Sequence, residues 1–339
     1  MNSTKRHKEA FEFFKNSDIF SLGQMANEVR INKHKDKAFY ALNAAITYSN
    51  SCELMCPICS FARSKKHAES YILSLESVRE KAQFFNELGA NEIHIIGGIN
   101  HDIDFNYYVD VIKTIRNVSS DYNIVAYTAS ECVMMSEVTG KSLEWVYKTL
   151  LDAGLNALPG GGAEIFDKPA RDKITPKKLS GKDWLAAHKV AHQCGIRTNA
   201  TMLYGHVETL EQITDHLMSL RNLQEETGGF KAFVPLPFRK GKSAIQAKES
   251  SLYDTCVCAY SRIILDNFDH LRVPVTHFSD RFVQVLLHFG ADDIGGTHWS
   301  EEVAKSAGAN FARLTENDLI KTIKASGFIP IKTDSNYNE

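Results

Sequence analysis

The sequence predicts an α/β protein: a TIM-type (β/α)8 barrel with an N-terminal helical extension and a C-terminal extension. Three observations lead there. Apolar β-like runs alternate with amphipathic stretches from residue 38 onward. The runs stay apolar instead of alternating, as strands covered on both faces do. Glycines fall at the joints between helix-like segments and the next strand. About eight such units in 339 residues suit a closed barrel better than an open doubly wound sheet.

The elements follow in order. Residues 1–30 read as helix, with Phe11, Phe14, Leu22, Met25 and Val29 at mostly helical spacing. Strands are expected at 38–48, 92–96 and 123–127, with helices at 74–88, 105–118 and 142–153. The next strands are read at 155–158, 196–202 and 230–234, with helices at 181–194, 208–226 and 252–268. Residues 271–275 make a seventh strand, 280–288 a helix, and 292–294 an eighth strand. Gly89, Gly154, Gly195 and Gly229 sit where a left-handed cap is needed. The chain divides into a helical extension over 1–37, a barrel over 38–298 and a helical extension over 299–339 packed on the barrel.

A formal net charge of −2, with only short basic clusters at 33–37 and 239–242, does not favour broad attraction to nucleic acid or membrane. No apolar run approaches the ~18 residues of a membrane span. The charged N-terminus lacks a signal-peptide core, so a cytoplasmic location is expected. Seven cysteines are an odd number for a disulfide framework. In a reducing compartment, closely spaced ones read as metal ligands or reactive thiols.

Cys52-Glu-Leu-Met-Cys56-Pro-Ile-Cys59 directly follows the first strand. Three thiolates on one tight loop can bind three irons of a cubane cluster and leave the fourth iron open to a substrate. S-adenosylmethionine (SAM) can chelate such an iron. A zinc site with His67 as fourth ligand and a chance cluster of buried cysteines are the alternatives. Cys132, Cys194, Cys256 and Cys258 are scattered and read as small buried hydrophobes.

Gly97-Gly98 ends the second strand, where backbone can approach a ligand or simply turn. Pro159-Gly160-Gly161-Gly162-Ala163-Glu164 follows the fourth strand. Its glycines can wrap a ligand, and Glu164 offers an acceptor for a ribose diol or ammonium, or else a helix cap. The segment lacks the ending of a phosphate loop. After the fifth strand, Thr201, Tyr204, His206 and Glu208 converge; His206 is the candidate catalytic acid, base or carboxylate partner. His188 and His192 resemble a metal pair, but their mid-helix position favours a structural role.

With these residues in view, the chain resembles the aminofutalosine synthases, radical SAM enzymes of the futalosine route to menaquinone. PGGGAEIF at 159–166, TMLYGHVET at 201–209 and LQEETGGFKAFVPL at 223–236 carry the resemblance, which spans roughly residues 20–330. The cyclic dehypoxanthinylfutalosine synthases and deazaflavin-ring synthases are close relatives. The resemblance implies a 4Fe–4S cluster on Cys52, Cys56 and Cys59, and SAM held by Phe61, Gly97, Gly98 and Glu164. It implies that SAM is consumed: its adenosyl radical adds to 3-((1-carboxyvinyl)oxy)benzoate to give aminodeoxyfutalosine. Electrons would come from a flavodoxin or ferredoxin. The substrate is a dianion, for which His206, Arg239, His277, Arg281 and Thr297 are candidate partners. Pro57-Ile58, Arg239-Lys240, the segment at 276–278 and the segment at 293–297 depart from the family pattern and bear on the substrate pocket. A non-catalytic Fe–S redox sensor and a zinc hydrolase are readings of another class.

Overall fold

The computed structural model describes residues 3–308, 314–334 and 336–337. Its strands are β1 (Lys37–Ala41), β2 (Asn43–Ser49), β3 (Glu92–Gly97), β4 (Asn123–Ala126) and β5 (Ala157–Leu158). They continue as β6 (Arg197–Tyr204), β7 (Phe230–Pro237), β8 (His270–Leu271), β9 (Asp293–Gly296) and β10 (Ile329–Lys332). Strands β2 to β8 form one parallel sheet in sequence order. Backbone bonds then carry the ring round. Val273 and Val275 donate to Asp293 and Ile294 of β9 at 2.8 and 3.0 Å. Beyond β9, Trp299 donates to Asn43 of β2 at 3.0 Å, and Ala45 donates back to Trp299 at 2.8 Å. Eight parallel strands, β2 to β9, thus surround one axis, with helices outside.

The single strand expected at 38–48 is two. At Leu42 the chain leaves the ladder, and the Asn91 side chain accepts its N–H at 3.0 Å. Upstream of that break, β1 pairs with β9 and with β10, forming a second, three-stranded sheet that shares β9 with the ring. The C-terminal extension is therefore not wholly helical. After helices at Glu302–Ser306 and Glu316–Ala325 it ends in β10, and Tyr337 stacks on His270 with ring centroids 3.4 Å apart.

The N-terminal helix expected over 1–30 is also two, Ser3–Asn16 and Ile19–His34, because Asp18 caps the second through the N–H groups of Phe20 and Ser21. The second helix buries Leu22, Gly23, Ala26 and Arg30, whereas Met25 faces outward. Small Gly23 and Ala26 let it lie close to the barrel, which the spacing of larger residues did not reveal. Gly89, Gly154 and Gly195 adopt left-handed φ at the helix ends. At the fourth joint that role falls to Gly228 (φ 61°). Gly229 is glycine for another reason: a Cβ there would lie 2.1 Å from the His192 ring. No helix among the described residues is long and apolar enough to cross a membrane.

Candidate active site

Alternation along β3 sets one wall. Ile93 and Ile95 point outward into the helix layer and are fully buried, while Glu92, His94 and Ile96 share the inner face. Inner residues of the other strands complete a cavity of about 420 Å³ at the C-terminal ends of the ring. That is where barrel enzymes place their chemistry.

The cysteine loop lies over this mouth. Cys52 donates to Arg63 O at 2.9 Å and Arg63 donates to Asn50 O at 2.8 Å, so the loop's two ends are zipped together. Cys59 N–H closes a turn onto Cys56 O at 2.9 Å, and Met55 takes a left-handed φ of 44° between the first two cysteines. The segment after β7 clamps the loop from the other side. Lys242 N donates to Ser60 Oγ at 3.0 Å and Ser243 Oγ to Pro57 O at 2.8 Å. All three thiols line the cavity, as do Phe61, Gly97, Gly98 and Glu164.

The donor set suits a cubane cluster better than one metal ion. Zinc at about 2.3 Å from each sulfur needs its ligands close together. Among the described residues these cysteines do not join in a group of three or more side chains whose ligand atoms converge closely enough for a single ion. His67 sits in an exposed turn and accepts from Glu69 N, away from a fourth-ligand role. Burial pushes the Cys56 thiol up to about 11; Lys178 opposes this, while Glu164, Cys52 and Cys59 add to it. Three thiolates here call for a strong cationic partner.

The glycines meet a steric demand. A Cβ on Gly98 would lie 2.1 Å from Ser51 O, the backbone just before Cys52. One on Gly97 would lie 2.4 Å from the Tyr48 ring, and one on Gly160 2.7 Å from Asn199 O. Glu164 has a left-handed φ of 50° and does not cap a helix; Asp167 caps the next one. Burial opposes ionisation of Glu164, but Lys178 and Arg171 outweigh it and hold the carboxyl below its ordinary value. Ser130 Oγ, also on this wall, is buried without a partner among the described residues.

The opposite wall, from β7 to β9, is different in kind. Arg239, Arg272, His277 and His298 face the cavity there, with His94 across from His298. Arg239 Nη2 donates to His277 O at 2.7 Å. Burial and the neighbouring Arg239 push His277 down to about 4, and burial pushes His298 well below its ordinary value.

His206 is placed otherwise. It does not line the cavity, although it follows β6 as expected. Its Nδ1 lies 2.7 Å from Val207 N and 3.0 Å from Glu208 Oε2, and its Nε2 faces Leu203 O at 2.9 Å, so its own loop takes both ring nitrogens. A buried imidazole satisfied by its own turn has no nitrogen left for a ligand. Of the other candidates, Arg239 and His277 reach the cavity. Arg281 is exposed on an outer helix, and Thr297 donates to Asn43 O at 2.7 Å. His188 and His192 both meet Thr198 Oγ1, at 2.8 and 2.9 Å, as structural residues. Sequence reasoning missed Lys178, His94, Arg272 and His298. The inward phase of β3 was the available signal for His94; Lys178 and His298 lie in loops with no periodicity.

Comparison with known proteins places this geometry. A model described as the radical SAM superfamily matches residues 46–220, and one described as the CofH/MqnC C-terminal region matches 227–339. The chain is 34% identical to an aminodeoxyfutalosine synthase of Thermus thermophilus, over 98% of this chain and 91% of the relative. It is 30% identical to that of Streptomyces coelicolor, over 97% and 89%. It is equally 34% identical to a 5-amino-6-(D-ribitylamino)uracil–L-tyrosine 4-hydroxyphenyl transferase of Archaeoglobus fulgidus, over 93% and 92%. Among solved structures, the hydrogenase maturase HydG of Carboxydothermus hydrogenoformans superposes with a TM-score of 0.76 at 18% identity, covering 98% of this chain and 77% of that one. Methylornithine synthase superposes at 0.72 and 15% identity, covering 96% and 94%.

Proposed function

The chain belongs to the radical SAM superfamily, and from that premise we propose that it joins the adenosyl group of SAM to the vinyl carbon of 3-((1-carboxyvinyl)oxy)benzoate. SAM would leave methionine behind, and the adduct would rearrange through the arene and lose a carboxyl as bicarbonate or carbon dioxide to give 6-amino-6-deoxyfutalosine, for menaquinone biosynthesis. Membership implies an enzyme with a 4Fe–4S cluster and SAM. When bound, the cluster supplies the electron that cleaves SAM and makes its adenosyl carbon reactive.

The observation that carries the substrate reading is the division of the cavity. Its β2-to-β5 wall has thiols, close-packed glycines and an unpartnered hydroxyl, which suits cluster and SAM. Its β7-to-β9 wall presents guanidinium and imidazole groups, which suits a dianion. In this reading Cys52, Cys56 and Cys59 hold the cluster, and Phe61 packs on the adenine. Gly97 and Gly98 admit the methionyl end, and Glu164 accepts from an amino or ribose group with the oxygen Lys178 leaves. Arg239, braced on His277 O, holds the enolpyruvyl carboxylate near the vinyl carbon. The enclosing barrel keeps water and stray hydrogen donors away. An electron donor such as a flavodoxin or ferredoxin would reduce the cluster.

The test is anaerobic incubation of reconstituted enzyme with SAM, dithionite and the enolpyruvyl benzoate, with products read by mass. An adenosylated adduct is expected. Formation of 5′-deoxyadenosine alone would favour the second reading, a hydrogen-abstracting enzyme of the deazaflavin or cyclic dehypoxanthinylfutalosine type. The identity to the Archaeoglobus fulgidus transferase supports that alternative. Neither product would point to a redox sensor.

A further inference from the structure

The inner end of the cavity lies behind the two walls already described. Glu92 and His94 are successive inward positions of β3, and the fully buried Glu92 carboxylate pairs with His94 Nε2. The His94 ring lines the cavity, and Nδ1 is the nitrogen it can turn toward a ligand. Across from it stands His298, its ring centroid 6.3 Å away. His298 follows β9 with a left-handed φ of 44°, a conformation that costs a non-glycine residue about 1–3 kcal/mol. Its Nε2 is buried and has no hydrogen-bond partner among the described residues. Arg272 completes the floor, with Nε held by Asp293 at 2.7 Å.

Strain and an unmet buried nitrogen on one residue are costs that folding alone does not explain. Three acids lie near this floor: Glu92 pairs with His94, Asp293 with Arg272, and Glu301, whose Oε1 accepts from Val303 N and Ala304 N, also lines the cavity. What faces the cavity here is two imidazoles and a guanidinium, beside a Glu301 carboxyl whose pKa burial pushes up toward the neutral form, a set that favours an anion.

We infer that this floor is a carboxylate subsite, in which His94, positioned by Glu92, and His298 bind the ring carboxylate of an aromatic acid. The inference rests on the proposed substrate: with the vinyl end at the cluster wall and the enolpyruvyl carboxylate at Arg239, the benzoate end points inward. A carboxylate at His94 Nδ1 would meet the ring on the side opposite its Glu92 partner. Glu92 is thus a positioning residue that acts through His94.

The test is equilibrium binding to the SAM-loaded, cluster-containing enzyme, without turnover. The probe is 3-hydroxybenzoate, which carries only the ring carboxylate, with 3-hydroxybenzamide as its neutral partner. Wild type should bind the acid at least about 10-fold more tightly than the amide, since hydrogen bonds to charged groups are the stronger ones. His298→Asn keeps a side chain that tolerates the left-handed backbone but shortens its reach. His94→Gln can still donate to Glu92. Each should weaken the acid about 10-fold and leave the amide nearly unchanged. Visible absorbance and SAM affinity at wild-type values would show both variants folded. Absence of acid binding in wild type, equal affinity for acid and amide, or unchanged acid affinity in both variants would overturn the subsite. Failure of the substrate reading appears separately, as a missing adenosylated adduct.

Discussion

Lys178 Nζ and Glu164 Oε1 stand 2.6 Å apart on the cavity wall, forming an ion pair that is largely shielded from solvent. The lysine approaches through the loop that follows the Lys168–Ile174 helix; burial opposes its charge, but Glu164 first, then Cys56 and Cys59, outweigh burial and raise its pKa. The pair ties the glycine segment to the cysteine loop electrostatically. A buried pair costs most when one partner is removed, because the other charge is left uncompensated.

Glu164→Gln should therefore weaken SAM binding about 10-fold or more while the cluster still forms. Lys178→Met, which strands the carboxylate, should impair both cluster content and SAM affinity. Isothermal titration with SAM, alongside iron and sulfide counting, distinguishes the two. Wild-type SAM affinity in Glu164→Gln would show that the carboxylate serves only Lys178.

Alanine at Cys52, Cys56 or Cys59 should each abolish the cluster's visible absorption and all SAM cleavage, because three thiolates are the minimum that leaves one iron open. Cys256→Ala and Cys258→Ala should retain both. Full iron content in any variant of the triad would remove that cysteine from the ligand set.

Much of this architecture was legible because it rests on periodicity. The apolar runs that became β3, β4, β6 and β7 and the helices between them are read directly from burial on both sheet faces. Position after a strand likewise put Cys52, Gly97 and Glu164 at the mouth. Tertiary contacts fixed what was missed. Nothing local marks Leu42 as the point where β1 leaves the ring to meet β10, nearly three hundred residues on. The signal at His206 leaves its role open for a physical reason. A strand-tip histidine looks the same in sequence whether its ring turns to the cavity or folds back onto its own turn.

Gly98→Ala tests the steric demand at the cluster loop. The added Cβ would lie 2.1 Å from Ser51 O and 2.9 Å from Cys52 Cβ, and backbone cannot yield cheaply. Cluster incorporation should fall sharply. Gly161→Ala, whose Cβ meets only Thr128 Cγ2 at 3.0 Å, should keep its iron. Equal iron content in the two variants, measured after identical reconstitution, would refute the argument.

His206 and Glu208 supply the last prediction, one of stability and not chemistry. Glu208 Oε1 and Oε2 accept the N–H groups of Gly205 and His206, each at 2.7 Å, and Tyr253 OH donates to Oε1 at 3.0 Å. Burial opposes ionisation of this carboxyl, but the His206 side chain and these backbone N–H groups outweigh it and hold its pKa down to about 2. A folded-state pKa below the unfolded value of about 4.3 stabilises the native state above that value. The contribution is lost as pH falls toward 2. Glu208→Gln should therefore lower Tm by roughly 2–5 °C at pH 7, and the gap to wild type should close progressively on acidification from pH 5. His206→Ala removes the ring that braces the same turn and should lower Tm by a similar amount. Because His206 is outside the cavity, the partition between adenosylated product and 5′-deoxyadenosine should not change in the folded variant. A shift in that partition at unchanged Tm would return His206 to the chemistry.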